Sequence, residues 1–596
     1  MISALASYNG TVAKPETETN LGSTRWRTRL SSVVALEGAR RSMVEWGRRA
    51  LGLDVPPADH TIAVLHSVET ELPGLDERET RQLTRIRLLG ATGTVLIGIS
   101  ALGVAAQPVL QNPVSGVRLI GVFARWQTSS LALSMIGTVL VVMAWLLLGR
   151  FAVGGFGGAP LHRLTRSQLD RTLLLWILPL SVAPPLYSTD VYSYLAQSEI
   201  AKRGMDPYVV GPAQGLGVGD VLTMNVPNIW RETPAPYGPL ILWIGRGISH
   251  LTGDNIIIGV WAHRLIALGG VALIVWALPR LSRRCGVAPV SALWLGAANP
   301  LVLFHLVAGV HNDAIMLGLM LAGLEFCLRA ISDSEAVGTP LDRREWSLLI
   351  FGAMVIALSS TIKITSLIAL GFVGMALARR WGKGVRPILL SAGLLGVIAL
   401  ATTLFVSLAS GLGFGWLFTL NTANVVRSWM SLPTAIGIIT GFGGVLLGLG
   451  DHTTALLSIT RPIAQAFAGF LTLRMLIATW TGRLPAVGAL GVSLGAVVLL
   501  WPVVQPWYLL WAIVPLAAWA TTPAFRIPAV VISAVVSVML MPRGADFGVF
   551  QIFEAAIAVV VVALIFIVAT RNLLPWRKAA GVSARSQRPA AYGVSS

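Results

Sequence analysis

A chain of 596 residues that is 55% apolar and only 12% charged, with a mean hydropathy of +0.72, is not a soluble protein, because soluble domains carry about 25% charged residues. Its formal charge of +18 would suggest nucleic acid in a soluble chain. In a membrane chain it records Lys and Arg gathered on cytoplasmic loops, so nucleic acid is not expected as a partner. The two cysteines, Cys285 and Cys327, lie in or beside apolar runs and have no metal or redox spacing.

Residues 1–84 are polar and Arg-rich and contain no apolar signal core, so they read as a cytoplasmic tail with an amphipathic helix around Val33–Leu51. Residues 85–571 form the transmembrane domain, and 572–596 form a basic cytoplasmic tail. Spans are expected at roughly 88–106, 129–149 and 172–187. The loop 150–171 carries Arg150, Arg163, Arg166 and Arg171 and belongs inside, which puts the segment after the third span outside. The outer loop 188–255 is the longest, and its apolar piece from Tyr237 to Gly245 is short enough for a re-entrant or interfacial helix.

Further spans are expected at 256–279, 287–306 and 312–330, then two short ones within 346–379 that turn outside at Ser359–Lys363. A span at 387–409 precedes an outer loop with Asn421, Asn424 and Arg427, and the Gly-rich stretch 433–449 reads as re-entrant. Arg483 and Arg526 then fall inside and Gln505-Pro-Trp-Tyr508 outside. The expectation is an all-α polytopic membrane protein with about 14 spans and both termini cytoplasmic.

The chemistry concentrates between Leu186 and Pro212. Ser188 and Thr189 are good N-cap residues, so a helix starts at Asp190; Lys202, Arg203 and Gly204 read as its end, and Asp206-Pro207 as a turn. Between Arg171 and Arg329 the acids are Asp190, Glu199, Asp206, Asp220, Glu232, Asp254, Asp313 and Glu325, whereas from Trp346 to Thr570 only Asp451, Asp546 and Glu554 occur. Carboxylates at membrane depth are expensive and mark function, which singles out Asp190 and Asp313, each abutting an apolar span. Glu199, Asp220 and Asp254 read as solvated loop charges. His263 and His305 read as core residues, while His311 adjoins Asn312 and Asp313.

There is no Walker A loop, no His-Glu-x-x-His and no paired-cysteine zinc spacing. The glycine runs at 215–219 and 411–415 neither follow a strand nor open a βαβ unit, so they read as turns. No ligand cluster argues for a metal, and no cofactor is indicated.

Ser188-Thr-Asp-Val-Tyr-Ser-Tyr194, Gly204-Met-Asp-Pro-Tyr208, Arg231-Glu-Thr-Pro-Ala-Pro-Tyr-Gly-Pro239, His311-Asn-Asp313 and Gln505-Pro-Trp-Tyr508 together resemble the actinobacterial polyprenyl-phosphomannose-dependent α-1,6-mannosyltransferases of the MptB type. These are membrane glycosyltransferases of the GT-C superfamily, and the likeness spans most of residues 80–570. The resemblance implies a GT-C fold. It implies a polyprenyl-phosphate-mannose donor, a phosphatidylinositol-mannoside or lipomannan acceptor, an inverting reaction and a site on the outer face of the plasma membrane. It also places Asn312, Asp206, Glu232 and Gln505 among the substrate-binding residues.

Roles follow from residue chemistry. Asp190 is the expected base, with Asp313 and His311 the alternative or its support. Lys363 and Arg427, and more weakly Arg264, are expected to meet the donor phosphate. Trp507, Tyr508, Tyr194 and Tyr237 are expected to face sugar, or else to anchor the protein at the lipid interface. A secondary transporter, or a GT-C enzyme with another lipid-linked sugar or acceptor, remains the alternative. Transporters place binding residues at mid-membrane between pseudo-symmetric halves, whereas this chain gathers polar residues in one outer loop.

Overall fold

The computed structural model describes residues 64–570, apart from 115, 155–161, 333–337, 383, 420–426, 429 and 543–547. The helix expected at Val33–Leu51, the residues Asn421, Asn424 and Asp546, and the tail 572–596 lie outside the described residues.

The principal helices are α1 (Glu77–Val104), α2 (Gln127–Val153), α3 (Arg166–Val182), α4 (Asp190–Lys202), α5 (Pro239–Thr252), α6 (Ile256–Arg284), α7 (Pro289–Gly296), α8 (Asp313–Ser332) and α9 (Arg343–Ser360). They continue as α10 (Ile368–Trp381), α11 (Val385–Ala409), α12 (Leu432–Leu446), α13 (Thr453–Trp480), α14 (Ala486–Leu500), α15 (Leu509–Ala517), α16 (Pro523–Met539) and α17 (Val549–Thr570). Among the described residues the sole β feature is a single bridge between Gly74 and Arg163. The protein is an all-helical membrane protein, as its composition requires.

Seven of the described helices are long and apolar enough to cross a membrane, and five shorter apolar helices join them. That is fewer full-length spans than the sequence suggested, and the reason is visible where apolar runs break. The run 287–306 becomes α7 followed by a π-helical turn, Val302–Ala308. Between them Asn299 turns its side chain inward, donating to Leu295 O and Ser533 Oγ and accepting from Leu301 N–H. A buried polar group satisfied in this way replaces helical hydrogen bonds and lets the chain bend.

The first helix also starts earlier than the expected 88. Asp76 and Glu79 form a reciprocal capping box, so α1 begins at Glu77 and carries Arg81, Arg85 and Arg87 on helix. The described part of the expected N-terminal tail does not dangle. His66 stacks on Trp519, Ser67 N–H donates to Thr521 Oγ1, and Glu69 pairs with Arg526 at 2.6 Å.

Close crossings hold the bundle. An added Cβ on Gly93 or Gly137 would lie 2.7 Å from the other's carbonyl oxygen where α1 crosses α2, and the same holds at 2.6 Å for Gly323 and Gly352 where α8 crosses α9. Small residues let helix backbones approach in lipid, where no hydrophobic drive exists between helices.

The helices give the molecule two chemically different ends. Arg329, Arg343 and Arg380 lie at one end of α8, α9 and α10. The other end of the same three helices carries Asp313, Ser360 and, just ahead of the turn Ile364–Leu367, Lys363.

Candidate active site

The helix α4 starts at Asp190, as the capping pattern indicates. Thr189 occupies the N-cap without a side-chain hydrogen bond, and Ser188 Oγ accepts from Asp190 N–H at 3.1 Å. Gly204, at φ +78°, closes the helix, and Asp206 Oδ1 accepts from Tyr208 N–H to make the turn. One turn beyond Asp190, Tyr194 points its hydroxyl to within 3.5 Å of His311 Nδ1, while Asp190 Oδ2 lies 3.7 Å from the same nitrogen.

The second carboxylate is held differently. Asp313 opens α8, is fully buried, and has both oxygens occupied: Lys363 Nζ at 2.7 Å from Oδ2 and Trp511 Nε1–H at 2.7 Å from Oδ1. The Lys363 ammonium also sits 4.9 Å from the ring centre of Tyr508, 5.5 Å from Trp511 and 5.9 Å from Tyr237. Aromatic faces and a carboxylate together stabilise a cation in a place where water is scarce. Tyr237 reaches this spot because Gly238 lets two segments touch. A Cβ there would lie 2.1 Å from Thr361 O, and Gly238 N–H and Leu240 N–H donate to Ile362 O and Thr361 O.

Trp507 covers His311, with ring centroids 3.7 Å apart and planes at 26°. Tyr508 is stacked on Trp511 at 4.2 Å. Both Trp507 and Tyr508 therefore present a face to protein groups, which departs from the expectation that they form open sugar platforms. His305, read from sequence as an isolated core residue, lies 5.8 Å from His311 and 5.3 Å from Trp507.

Burial is the largest influence on Asp190 and raises its pKa to about 6; Lys363 pulls it down, Asp313 pushes it up and Ser188 pulls it down. A helix N-terminus by itself favours the ionised carboxylate, but desolvation outweighs it here. Lys363 loses by burial yet ends above its usual value, because Asp313, Tyr508 and Asp190 favour its charged form. Burial, reinforced by His305 and Lys363, holds His311 well below the ordinary histidine value, so its ring is neutral.

Asp190, Tyr194, Tyr237, His311, Asp313, Lys363, Trp507 and Tyr508 thus form one cluster from segments far apart in sequence. Asn312 lies within it, buried, with neither amide atom partnered. Gln505 sits two residues ahead of Trp507 at the N-cap of the turn Pro506–Tyr508.

Four other expected residues stand apart. Arg427 is exposed and donates to Thr454 Oγ1 on α13. Arg264 donates to Ser181 O and Ala308 O, which are carbonyls at the ends of α3 and the π-helical turn. Asp206 is spent on its turn, and Glu232 is an exposed residue at the end of the short helix Asn228–Arg231. Sequence reasoning missed Trp511, although it lies three residues after Tyr508 and four after Trp507, the spacing that puts three aromatics on one helical face.

The arrangement can do two things. One carboxylate with 21% of its side chain exposed can take a proton, and one half-buried cation walled by aromatic rings can meet an anion.

Residues 87–379 match the family of alpha-(1->6)-mannopyranosyltransferase N-terminal domains, and residues 433–569 match the MptB C-terminal domain. The chain is 56% identical to a protein of Mycolicibacterium smegmatis described as a probable alpha-(1->6)-mannopyranosyltransferase, over 86% of this chain and 92% of that one. It is 51% identical to an alpha-(1->6)-mannopyranosyltransferase of Mycobacterium tuberculosis, over 87% and 93% of the two chains. Against alpha-(1->6)-mannopyranosyltransferase B of Corynebacterium glutamicum the identity is 40%, over 82% and 81%. No solved structure matches the chain.

Proposed function

We propose, for a chain that belongs to the alpha-(1->6)-mannopyranosyltransferase family and is therefore a mannosyltransferase rather than a transporter, that it moves mannose from polyprenyl-phosphate-mannose to a mannosylated phosphoinositide or lipomannan acceptor, with Asp190 as general base. The observation that carries this reading is the contrast between the two carboxylates. Asp313 is sealed with both oxygens bonded, while the Asp190 side chain is partly open, with His311 Nδ1 3.7 Å from Oδ2.

An acceptor hydroxyl attacks C1 of the donor mannose. As the new C1–O bond forms, the C1–O bond to phosphate breaks, the hydroxyl proton passes to Asp190, and the phosphate leaves as a monoester with extra negative charge. A base with a pKa near 6 is mostly ionised at neutral pH and well matched to this task. Lys363 stands beside Asp190 to receive the developing phosphate charge, an electrostatic role that gains strength in a dry site. Direct displacement inverts C1 and needs one base and no enzyme nucleophile.

The placement of the cluster opposite the arginine-bearing ends of α8, α9 and α10 supports a site on the outer face of the plasma membrane, because arginines favour the cytoplasmic side. On that side a lipid-linked sugar is the accessible donor. Both described chain ends then fit a cytoplasmic location for the termini.

The test is an assay of purified protein with radiolabelled polyprenyl-phosphomannose and a panel of mannosylated phosphoinositides. The reading expects α-1,6-mannosylated lipid as product. Transfer only from another lipid-linked sugar, or only to a different acceptor, would replace the substrates named here.

A further inference from the structure

Asp190 and His311 are each reached through a backbone turn that side chains normally avoid. Among the described residues three non-glycine positions have positive φ, and two of them are Tyr187 at +64° and Val310 at +59°. Val310, a buried β-branched residue, stands immediately before His311, and Tyr187 stands three residues before Asp190. Bulky residues held in the left-handed region carry real strain, and such strain persists where the surroundings demand it. Here the surroundings are tied together. Leu186 N–H donates to Ala308 O, and the Arg264 guanidinium joins Ala308 O to Ser181 O. A π-helical turn, Val302–Ala308, leads into the same place, and such turns recur at functional sites.

The His311 ring is then fixed on three sides. Trp507 stacks against one face, Nδ1 lies 3.5 Å from the Tyr194 hydroxyl and 3.7 Å from Asp190 Oδ2, and His305 closes a further side at 5.8 Å. His311 has no exposed surface, so a sugar cannot touch it without displacing Trp507. We propose that His311 is the residue that positions Asp190 for proton transfer, and that Trp507 acts on the reaction through His311 rather than by contact with substrate. This rests on Asp190 being the base.

The neighbours of Asp190 that bear on its proton are Lys363 ahead of α10, Asp313 on α8, Tyr194 on α4, Tyr237 ahead of α5 and Tyr508 in the turn ahead of α15. In the proposed role the neutral His311 ring turns an Nδ1–H toward the carboxylate, 3.7 Å away, and favours its ionised form. Its loss therefore raises the pKa of Asp190 and also frees the carboxylate to turn.

The experiment compares purified His311→Leu, His311→Asn, Trp507→Phe and Trp507→Leu proteins, each checked for retained donor binding, with wild type across a pH series. His311→Leu is expected to lower kcat by about 10²-fold, as small misplacements of a catalytic group do, with both KM values little changed. The acid limb of kcat/KM should move to higher pH. His311→Asn, which keeps an N–H near the Nδ1 position, should restore much of the limb. Trp507→Phe, which keeps an aromatic face against His311, should lose less kcat than Trp507→Leu, and Trp507→Leu should add nothing to His311→Leu, because residues acting as one unit are not additive. A raised acceptor KM with kcat and the acid limb unmoved would make His311 a sugar contact and overturn the proposal, as would additive losses in the double variant. Repeating His311→Leu in an Asp190→Asn background separates the two claims. If Asp190→Asn is itself active and still responds to His311→Leu, the base assignment fails; if it is inactive while His311→Leu alone leaves kcat and the limb unmoved, only the positioning role fails.

Discussion

The two ends of the helix bundle use ionisable groups in opposite ways. At the arginine-bearing end, carboxylates are saturated. Glu69 accepts from Ala288 N–H and Ser291 Oγ and pairs with Arg526, Glu325 holds Arg284 through both oxygens at 2.8 and 3.0 Å, and Glu345 pairs with Arg380 at 2.8 Å. At the other end, Asp313 is equally saturated, but Asp190 is not, and the polar atoms around it (His311 Nε2, both amide atoms of Asn312, both ring nitrogens of His305) find no protein partner. Buried polar groups are nearly always satisfied, so a concentration of open ones marks a place built to be completed by something else.

Substitutions should separate the two ends by what they damage. Asp190→Asn should cost most, ~10²–10⁴-fold in transfer rate, while leaving the thermal midpoint near wild type, because the amide keeps the shape of a side chain that makes few bonds. Transfer within a few-fold of wild type would remove Asp190 from the base role. Lys363→Met should lower transfer by about 10²-fold and weaken donor binding, as loss of one preorganised charge does; unchanged donor affinity and turnover would mean that the lysine only neutralises Asp313.

At the far end, Glu325→Gln strands part of a charge on Arg284. Its expected signature is a lower thermal midpoint, from a loss of up to about 3 kcal/mol, with kcat retained in the folded fraction. A selective kcat effect would show that the two ends are coupled. Arg427→Ala should matter least, within about twofold, since an exposed arginine held by one hydroxyl contributes little. A large donor defect would bring Arg427 back as a phosphate ligand.

The sequence made the class of the fold and several residues of the candidate site legible for physical reasons. Long apolar runs allow only helices in lipid, and the Ser188-Thr189-Asp190 start and Lys202-Arg203-Gly204 stop are local signals that act within one helix. Asp190 and Asp313 stood out because charge at a span edge is costly, His311 because it adjoins Asn312 and Asp313, and Lys363 because it lies at an outer turn between two short spans. What was not legible depends on distant contacts. Nothing near Trp507 in sequence says that His311 will cover its face, and nothing near Arg264 says that two helix-end carbonyls will absorb it. The break at Asn299 and the early start of α1 were hidden because an apolar window averages over the one polar residue that bends or caps a helix. Arg427 and Lys363 looked alike as sparse outer cations; the Asp313 ion pair and the aromatic walls around Lys363 distinguish them.

The most direct test of the account is the pH dependence of kcat/KM for mannosyl transfer by the purified protein. On the proposed base assignment Asp190 acts in its ionised form, and burial lifts its pKa to about 6, so transfer should be full above that pH and fall away as pH drops through it. Lys363 favours the ionised form, so residual transfer by Lys363→Met should lose its acid limb at a higher pH than wild type. Residual transfer by Asp190→Asn should show no limb there. An acid limb that sits at the same pH in all three proteins would contradict the account, because the titrating group would then be neither Asp190 nor one that Lys363 influences.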